Sequence, residues 1–334
     1  MRVRLVCLAI AVAMASPCSA AEENKGKHRE ARRATATSSA PTQDSALADA
    51  RSEVYKKVGG VDLKIYFFMP PGHKPTDKAP AILFFFGGGW LGGSPGQFVP
   101  QCKYLASRGM VAGTADYRVF NRHKALVADC VADAESAMRW ARANAGKLGI
   151  DPDRIASSGG SAGGHLAAAV GMLDDLTDDE DKSVSFRPNA MILFNPAIDL
   201  TSDDPAEKHR NLVKRLGAKA ADLSPADHIK PGLAPTIIFH GKNDVLIPFS
   251  KIEEFARTMR AAGNKCEAVG FEGQGHGFFN PGRSDNLYFH ETLRMTDRFL
   301  ASLGWLRGEP TLDTKVSATQ PSARVHPNFG GEVR

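Results

Sequence analysis

Two stretches of the 334-residue chain carry the spacing Gly-x-Ser-x-Gly: Gly92-Gly93-Ser94-Pro95-Gly96 and Gly159-Gly160-Ser161-Ala162-Gly163. A serine hydroxyl becomes a nucleophile where a base takes its proton, a strand-to-helix turn projects it, and backbone amides stabilise the negative oxygen that forms. The second stretch meets these demands. An apolar run, "IASSG", leads into it, a helical pattern, "SAGGHLAAAVGML", leads out, and its neighbours are small. Ala162 supplies an N–H directly after the serine, whereas Pro95, after Ser94, has none. Ser161 is the candidate nucleophile, and Ser94 reads as a loop residue.

The base must come from ten histidines. His276, in "FEGQGHGFFNP", directly follows the last apolar run, where a loop can bring it over the sheet edge beside Ser161. His165 lies four residues past the serine on a helix that carries it away, so it reads as a packing or locally hydrogen-bonded residue; His240 ends a strand and reads as structural. An orienting carboxylate should fall between serine and histidine in the chain. Asp244, on the turn in "TIIFHGKNDVLIPF", fits, with Asp199 in "NPAIDL" as its rival. "AILFFF" runs into Gly87-Gly88-Gly89-Trp90, where Gly88 and Gly89 could join Ala162 in offering N–H groups to an oxyanion. Trp90 and Phe278 or Phe279 could present a flat face to a sugar or acyl group, or could be pocket wall or core. No His/Asp cluster has metal-ligand spacing, and the chemistry calls for no cofactor.

These residues need a frame. Apolar β-type runs ("VYKKV", "LKIYFF", "AILFFF", "MVAGTADY", "IASSG", "AMILFN", "TIIFH", "CEAVGF") alternate with helical patterns, which predicts a doubly wound, mostly parallel sheet of about eight strands in an α/β fold. The first two runs, split by Gly59-Gly60, predict an antiparallel hairpin. Asp151, Asp153 and Arg154 read as a brace at the entry to the serine's strand, and Asp133, Arg139 and Trp140 as helix-packing residues. One catalytic domain spans residues 51–307, with a charged insertion at 201–232.

The ends differ in kind. Residues 1–20 read as a signal peptide: basic Arg2 and Arg4, an apolar stretch too short to span a bilayer, and small residues before a cut after Ala20. Secretion or a periplasmic location follows, without stable membrane insertion. Residues 21–50 and 308–334 are polar and read as a flexible leader and tail. The net charge of +5 forms no dense basic stripe in the core, so a nucleic-acid partner is not indicated. Cys102, Cys130 and Cys266 remain in the mature chain and allow at most one disulfide.

Taken together, "FGGGW", "ADYR", "DPDRI" and "GGSAGGH", in order across residues 60–305, resemble the α/β-hydrolase esterases of the hormone-sensitive-lipase-like group and its bacterial carbohydrate-esterase relatives. In that group a histidine usually stands where this chain has Phe86. The resemblance implies a secreted serine esterase that removes acetyl or feruloyl groups from a carbohydrate, as acetyl-xylan and feruloyl esterases do. Its substrate would be a small-molecule or polysaccharide ester. The leader in place of a helical N-terminal cap, and the charge of the insertion, agree with a polar substrate. A general carboxylesterase or lipase on small lipophilic esters, a prolyl-oligopeptidase-like peptidase and a non-catalytic binding protein are the alternatives.

Overall fold

The chain forms eight strands: β1 (Arg51–Val58), β2 (Val61–Phe68), β3 (Ala79–Phe85), β4 (Val111–Ala115), β5 (Ile150–Gly160), β6 (Ala190–Phe194), β7 (Thr236–Gly241) and β8 (Cys266–Phe271). They make one sheet in the order β1-β2-β4-β3-β5-β6-β7-β8. β1 and β2 are the expected hairpin, closed by Gly59 and Gly60 at φ 56° and 78°. β2 meets β4 antiparallel, and all later neighbours run parallel. This is the α/β-hydrolase architecture expected from the sequence.

The computed structural model describes residues 43–177, 180–201 and 212–312. The expected signal peptide, the leader up to residue 42, the middle of the insertion and the tail beyond residue 312 lie outside the described residues. Residues 43–50, assigned to the leader by composition, include a helical turn, Gln43–Ala46, and Ala46, Leu47 and Ala50 pack against the core. Among the described residues no helix is long and apolar enough to cross a membrane.

Helices cover both faces of the sheet because its central strands are apolar on both. Ala81, Leu83 and Phe85 of β3 face a core shared with α2 (Val127–Ala143), α3 (Ala162–Met172) and α4 (Phe249–Ala261). Ile82 and Phe84, between them, face a second core under α1 (Val99–Ser107) and α5 (Leu287–Ser302). Cys102, Cys130 and Cys266 are buried free thiols in these layers, so none of them forms a bridge.

Strand order places the site. From β3 the chain moves outward to β4, then returns across β3 to β5 and continues the other way. Connections leaving β3 and β5 therefore part, opening a crevice at the carboxyl ends of these two strands, where ligands bind in such sheets. Phe85 pairs with Gly159, so the glycine loop after β3 and the Ser161 turn after β5 are neighbours.

Candidate active site

Ser161 joins β5 to α3 at φ 56°, ψ −118°, a conformation that a non-glycine residue holds only when its surroundings enforce it. The enforcement is steric. A Cβ on Gly159 would collide with the Gly163 carbonyl, one on Gly163 with the carbonyl oxygens of Phe85 and Phe86, and one on Gly160 would stand 2.6 Å from the Phe279 ring. The strand, turn and helix therefore cross so closely that only hydrogen fits at these positions. The Ser161 N–H is fixed by the Phe194 carbonyl at 2.9 Å.

The other two predicted groups converge on it. Ser161 Oγ lies 2.9 Å from His276 Nε2, and His276 Nδ1 lies 2.7 Å from Asp244 Oδ2. Asp244 sits on the turn after β7, where its Oδ1 accepts the N–H groups of Leu246 and Ile247 at 2.9 and 3.0 Å. Burial of this carboxyl works to raise its pKa, but hydrogen bonds from His240 and His276, the charge of His276 and the Ile247 N–H outweigh it. They hold Asp244 well below the usual carboxylate range. The acid is thus ionised and aimed at the imidazole.

His240, read from sequence as structural, bears on the site through that acid. Its Nε2–H donates to the Ile247 carbonyl at 2.8 Å and lies 3.3 Å from Asp244 Oδ2, clamping both ends of the acid's turn. Asp199, the rival acid, is bonded elsewhere. Its Oδ1 takes the Thr201 N–H and hydroxyl, and its Oδ2 pairs with Lys251 at 3.2 Å. His165 donates from Nε2 to the Leu223 carbonyl at 2.7 Å, and burial pushes its pKa down to about 4, so it is a neutral packing residue.

The glycine loop lies against the serine: a Cβ on Gly87 would stand 2.8 Å from the Gly160 carbonyl and 3.5 Å from Ser161 Cβ. Gly88 and Gly89 adopt φ 128° and 62°, left-handed territory that glycine enters freely. The Gly87 N–H is taken by Gln97 Oε1 at 2.7 Å. Among the described residues, no acceptor takes the N–H of Gly88, Gly89 or Ala162. Phe86, at the usual histidine position, supports the loop by packing. Its ring stacks on Tyr117 at 4.1 Å, and the Tyr117 hydroxyl donates to the Phe86 carbonyl at 2.7 Å.

Ser161 and His276 open into a cleft of about 200 Å³, walled by Trp90, Ile198, Leu200, Leu212, Ile247 and Pro248, with the Asp199–Lys251 pair at its polar end. Leu212 comes from the insertion, which reads as charged in sequence yet supplies an apolar wall. Trp90 lines the cleft. Phe278 and Phe279 do not. They are 3% and 1% exposed and pack with Phe98, Phe194, Phe271 and Tyr288 in the α1/α5 core. Gly277, at φ 75°, turns the chain directly after His276, and the two aromatic side chains leave the cleft for the sheet's other face.

Two polar residues with no sequence signal complete the surroundings. Asn195 Oδ1 accepts the Gly277 N–H at 3.0 Å, and Gln97 Nε2 donates to Asn280 Oδ1 at 2.9 Å. Asn195 directly follows the apolar run of β6 and Gln97 lies in the glycine-rich loop after β3, and their roles become legible only when the fold brings these segments beside the loop after β8.

With this geometry in view, comparison with known proteins is decisive for kinship. The family model described as BD-FAE matches residues 64–259. The chain belongs to the BD-FAE family. Among curated relatives, the esterase LipC of Mycobacterium tuberculosis is 30% identical over 226 residues, covering 61% of this chain and 54% of that protein. The isoprenylcysteine alpha-carbonyl methylesterase ICME of Arabidopsis thaliana is 27% identical over 216 residues, covering 59% of this chain and 50% of that protein. The chain spans about half the length of the curated relatives it matches. Among solved structures, Thermogutta terrifontis esterase 2 phosphonylated by sarin is 51% identical with a TM-score of 0.77, covering 79% of this chain and 98% of that one. A second structure of that esterase holds propionate. BD-FAE kinship thus covers the strands and loops that carry Ser161 and Asp244.

Proposed function

We propose that the protein is a serine carboxylic-ester hydrolase for short-chain esters, with Ser161 as nucleophile, His276 as base and then acid, and Asp244 as the group that orients the imidazole. The observation that carries this reading is the unbroken Ser161–His276–Asp244 run, with spacings of 2.9 and 2.7 Å. His276 Nε2 takes the hydroxyl proton as Ser161 Oγ bonds to the ester carbonyl carbon. The carbonyl oxygen becomes an anion opposite the N–H groups of Gly88, Gly89 and Ala162, each such donor lowering a barrier of this kind by about 3 kcal/mol. Collapse breaks the bond to the alcohol, which leaves with the proton from Nε2. Water, deprotonated by the same nitrogen, then attacks the acyl-serine and frees the acid.

Several findings support the short-chain reading. Thermogutta terrifontis esterase 2 is described with propionate and with butyrate bound, and its phosphonylation by sarin fits a reactive nucleophile in this fold. The cleft of about 200 Å³ suits a small acyl group. Among the described residues, the exposed large apolar side chains are Leu91, Val213, Val245 and Leu246. Leu246 lines the cleft and each of the others adjoins a lining residue in the chain, which favours a simple lipophilic ester. The Asp199–Lys251 pair, able to accept from and donate to hydroxyl groups, favours a second reading: an acetylated or feruloylated carbohydrate, met after export.

Rates on aryl esters from acetate to decanoate, set beside acetate release from acetylated xylan, separate these readings. The short-chain proposal expects an optimum at or below butyrate and labelling of Ser161 by a fluorophosphonate. An optimum at octanoate or longer would overturn it, and xylan release faster than aryl acetate turnover would select the carbohydrate ester.

A further inference from the structure

Asn195 follows β6 beside the Ser161 turn and takes no part in the mechanism set out above. It is 1% exposed, and its backbone is held at φ 33°. A non-glycine residue in that region carries strain that neighbouring contacts must offset. Those contacts are specific. The Asn195 N–H donates to the Phe239 carbonyl at 2.8 Å, and Oδ1 accepts the Gly277 N–H at 3.0 Å. Because a backbone N–H can only donate, the second contact fixes which way the carboxamide faces. Its NH2 is turned to His276, with Nδ2 lying 3.4 Å from Nε2, the nitrogen that faces Ser161 Oγ.

A carboxamide NH2 donates and never accepts. It attracts a lone pair on Nε2 and opposes a proton there. Resting on the esterase reading of the site, we propose that Asn195 is a positioning residue that holds His276 with its Nε2 lone pair available. Once Nε2 has taken the Ser161 proton, the same NH2 denies that proton any resting place except the reacting oxygens. The imidazole is faced by the Asp244 carboxylate at Nδ1 and by Ser161 at Nε2, with Asn195 on the flank. His240 reaches it only through Asp244, and Asp199 and Lys251 line the same cleft. Asp244 favours the charged ring and Asn195 the neutral one, so the two act in opposite senses on one base.

The contact also ends a longer chain of amides. The Gly277 carbonyl accepts from Asn280 Nδ2 at 2.9 Å, Asn280 Oδ1 accepts from Gln97 Nε2 at 2.9 Å, and Gln97 Oε1 accepts the Gly87 N–H at 2.7 Å. Asn195 is therefore tied to the start of the glycine loop as well as to the histidine turn. Proton transfer and oxyanion stabilisation share one scaffold.

Asn195→Asp, nearly isosteric, replaces the donor facing Nε2 with an acceptor. The expected result is an upward move of about one pH unit or more in the acid limb of kcat/KM on a short-chain aryl ester, with activity largely recovered at alkaline pH. The His276 imidazole, followed by NMR, should titrate later in the same sense. Asn195→Ala, which removes the opposing dipole without adding an acceptor, should move the NMR titration the same way by less, and it decides the matter if the Asp variant does not fold. A uniform fall in activity at every pH, with limb and titration unmoved, would overturn the proposal and leave Asn195 a structural tie. Absence of turnover and of Ser161 labelling in the unaltered protein would instead remove the esterase reading, and the NMR titration would still decide what Asn195 does to the ring.

Discussion

Ser94 and Ser161 sit in the same five-residue pattern, and the structure treats them as opposites. Ser94 has an extended backbone, φ −156°, and its Oγ accepts the Gly96 N–H at 3.2 Å, capping the short helical turn Pro95–Phe98. Ser161 is held at φ 56°, at the head of α3, with its Oγ turned to an imidazole. The residue after each serine makes the same division: Pro95 has no N–H to give, and Ala162 has one that no acceptor among the described residues takes. What separates them is the backbone that surrounds the pattern. A nucleophile requires strand, turn and helix to cross at contact distance, and only the second segment has them.

The contrast can be pushed furthest at the hydroxyls. Ser161→Ala should cut kcat on an aryl acetate by about five orders of magnitude or more, the scale seen when the nucleophile of such a triad is removed. Its melting temperature should stay close to that of the parent, since the side chain is partly exposed and makes no contact that the turn depends on. Residual turnover within a hundredfold of the parent would mean that another nucleophile works in the cleft.

A second break concerns the first glycine of each pattern. Gly159→Ala drives a Cβ into the Gly163 carbonyl and to 2.6 Å from the Phe85 carbonyl, backbone atoms that cannot step aside. Gly92→Ala meets nothing within 4 Å. Denaturant unfolding should therefore show a loss of about 4 kcal/mol or more for Gly159→Ala, and a change within about 0.5 kcal/mol for Gly92→Ala. Equal losses at the two positions would show that glycine is demanded by the pattern and not by the crossing of chains.

Much of this was legible from residue order. The run "CEAVGF" became β8 with its bounds unchanged, closed by the polar Asn264-Lys265 before it and the Glu272-Gly273 turn after it. Ser161, Asp244 and His276 were readable because each stands on a turn directly after an apolar run, and in a parallel sheet all such turns meet at one edge. Asn195 and Gln97 were not, since a carboxamide has no titration or spacing signature and acquires its role from neighbours 82 and 183 positions away. Phe278 and Phe279 read from sequence either as a flat face for substrate or as wall or core, and the turn at Gly277 decides for core. Leu212 hid inside a charged stretch, whose mean composition says nothing about which single side chain points inward.

The smallest effect is expected at the decoy itself. The turn that Ser94 caps carries Gln97, which holds the Gly87 N–H at the root of the glycine loop. Ser94→Ala removes one cap hydrogen bond, a loss of about 1 kcal/mol in stability. Gln97 keeps its remaining anchors, because the Pro95 carbonyl still accepts from Thr114 at 2.9 Å and Asn280 still accepts from Gln97. Turnover should consequently fall by no more than about threefold, through a loosened loop, with KM for a short-chain ester nearly unchanged. A tenfold or larger loss in kcat at unchanged stability would show that Ser94 reaches the reacting atoms, and the division drawn between the two serines would fail.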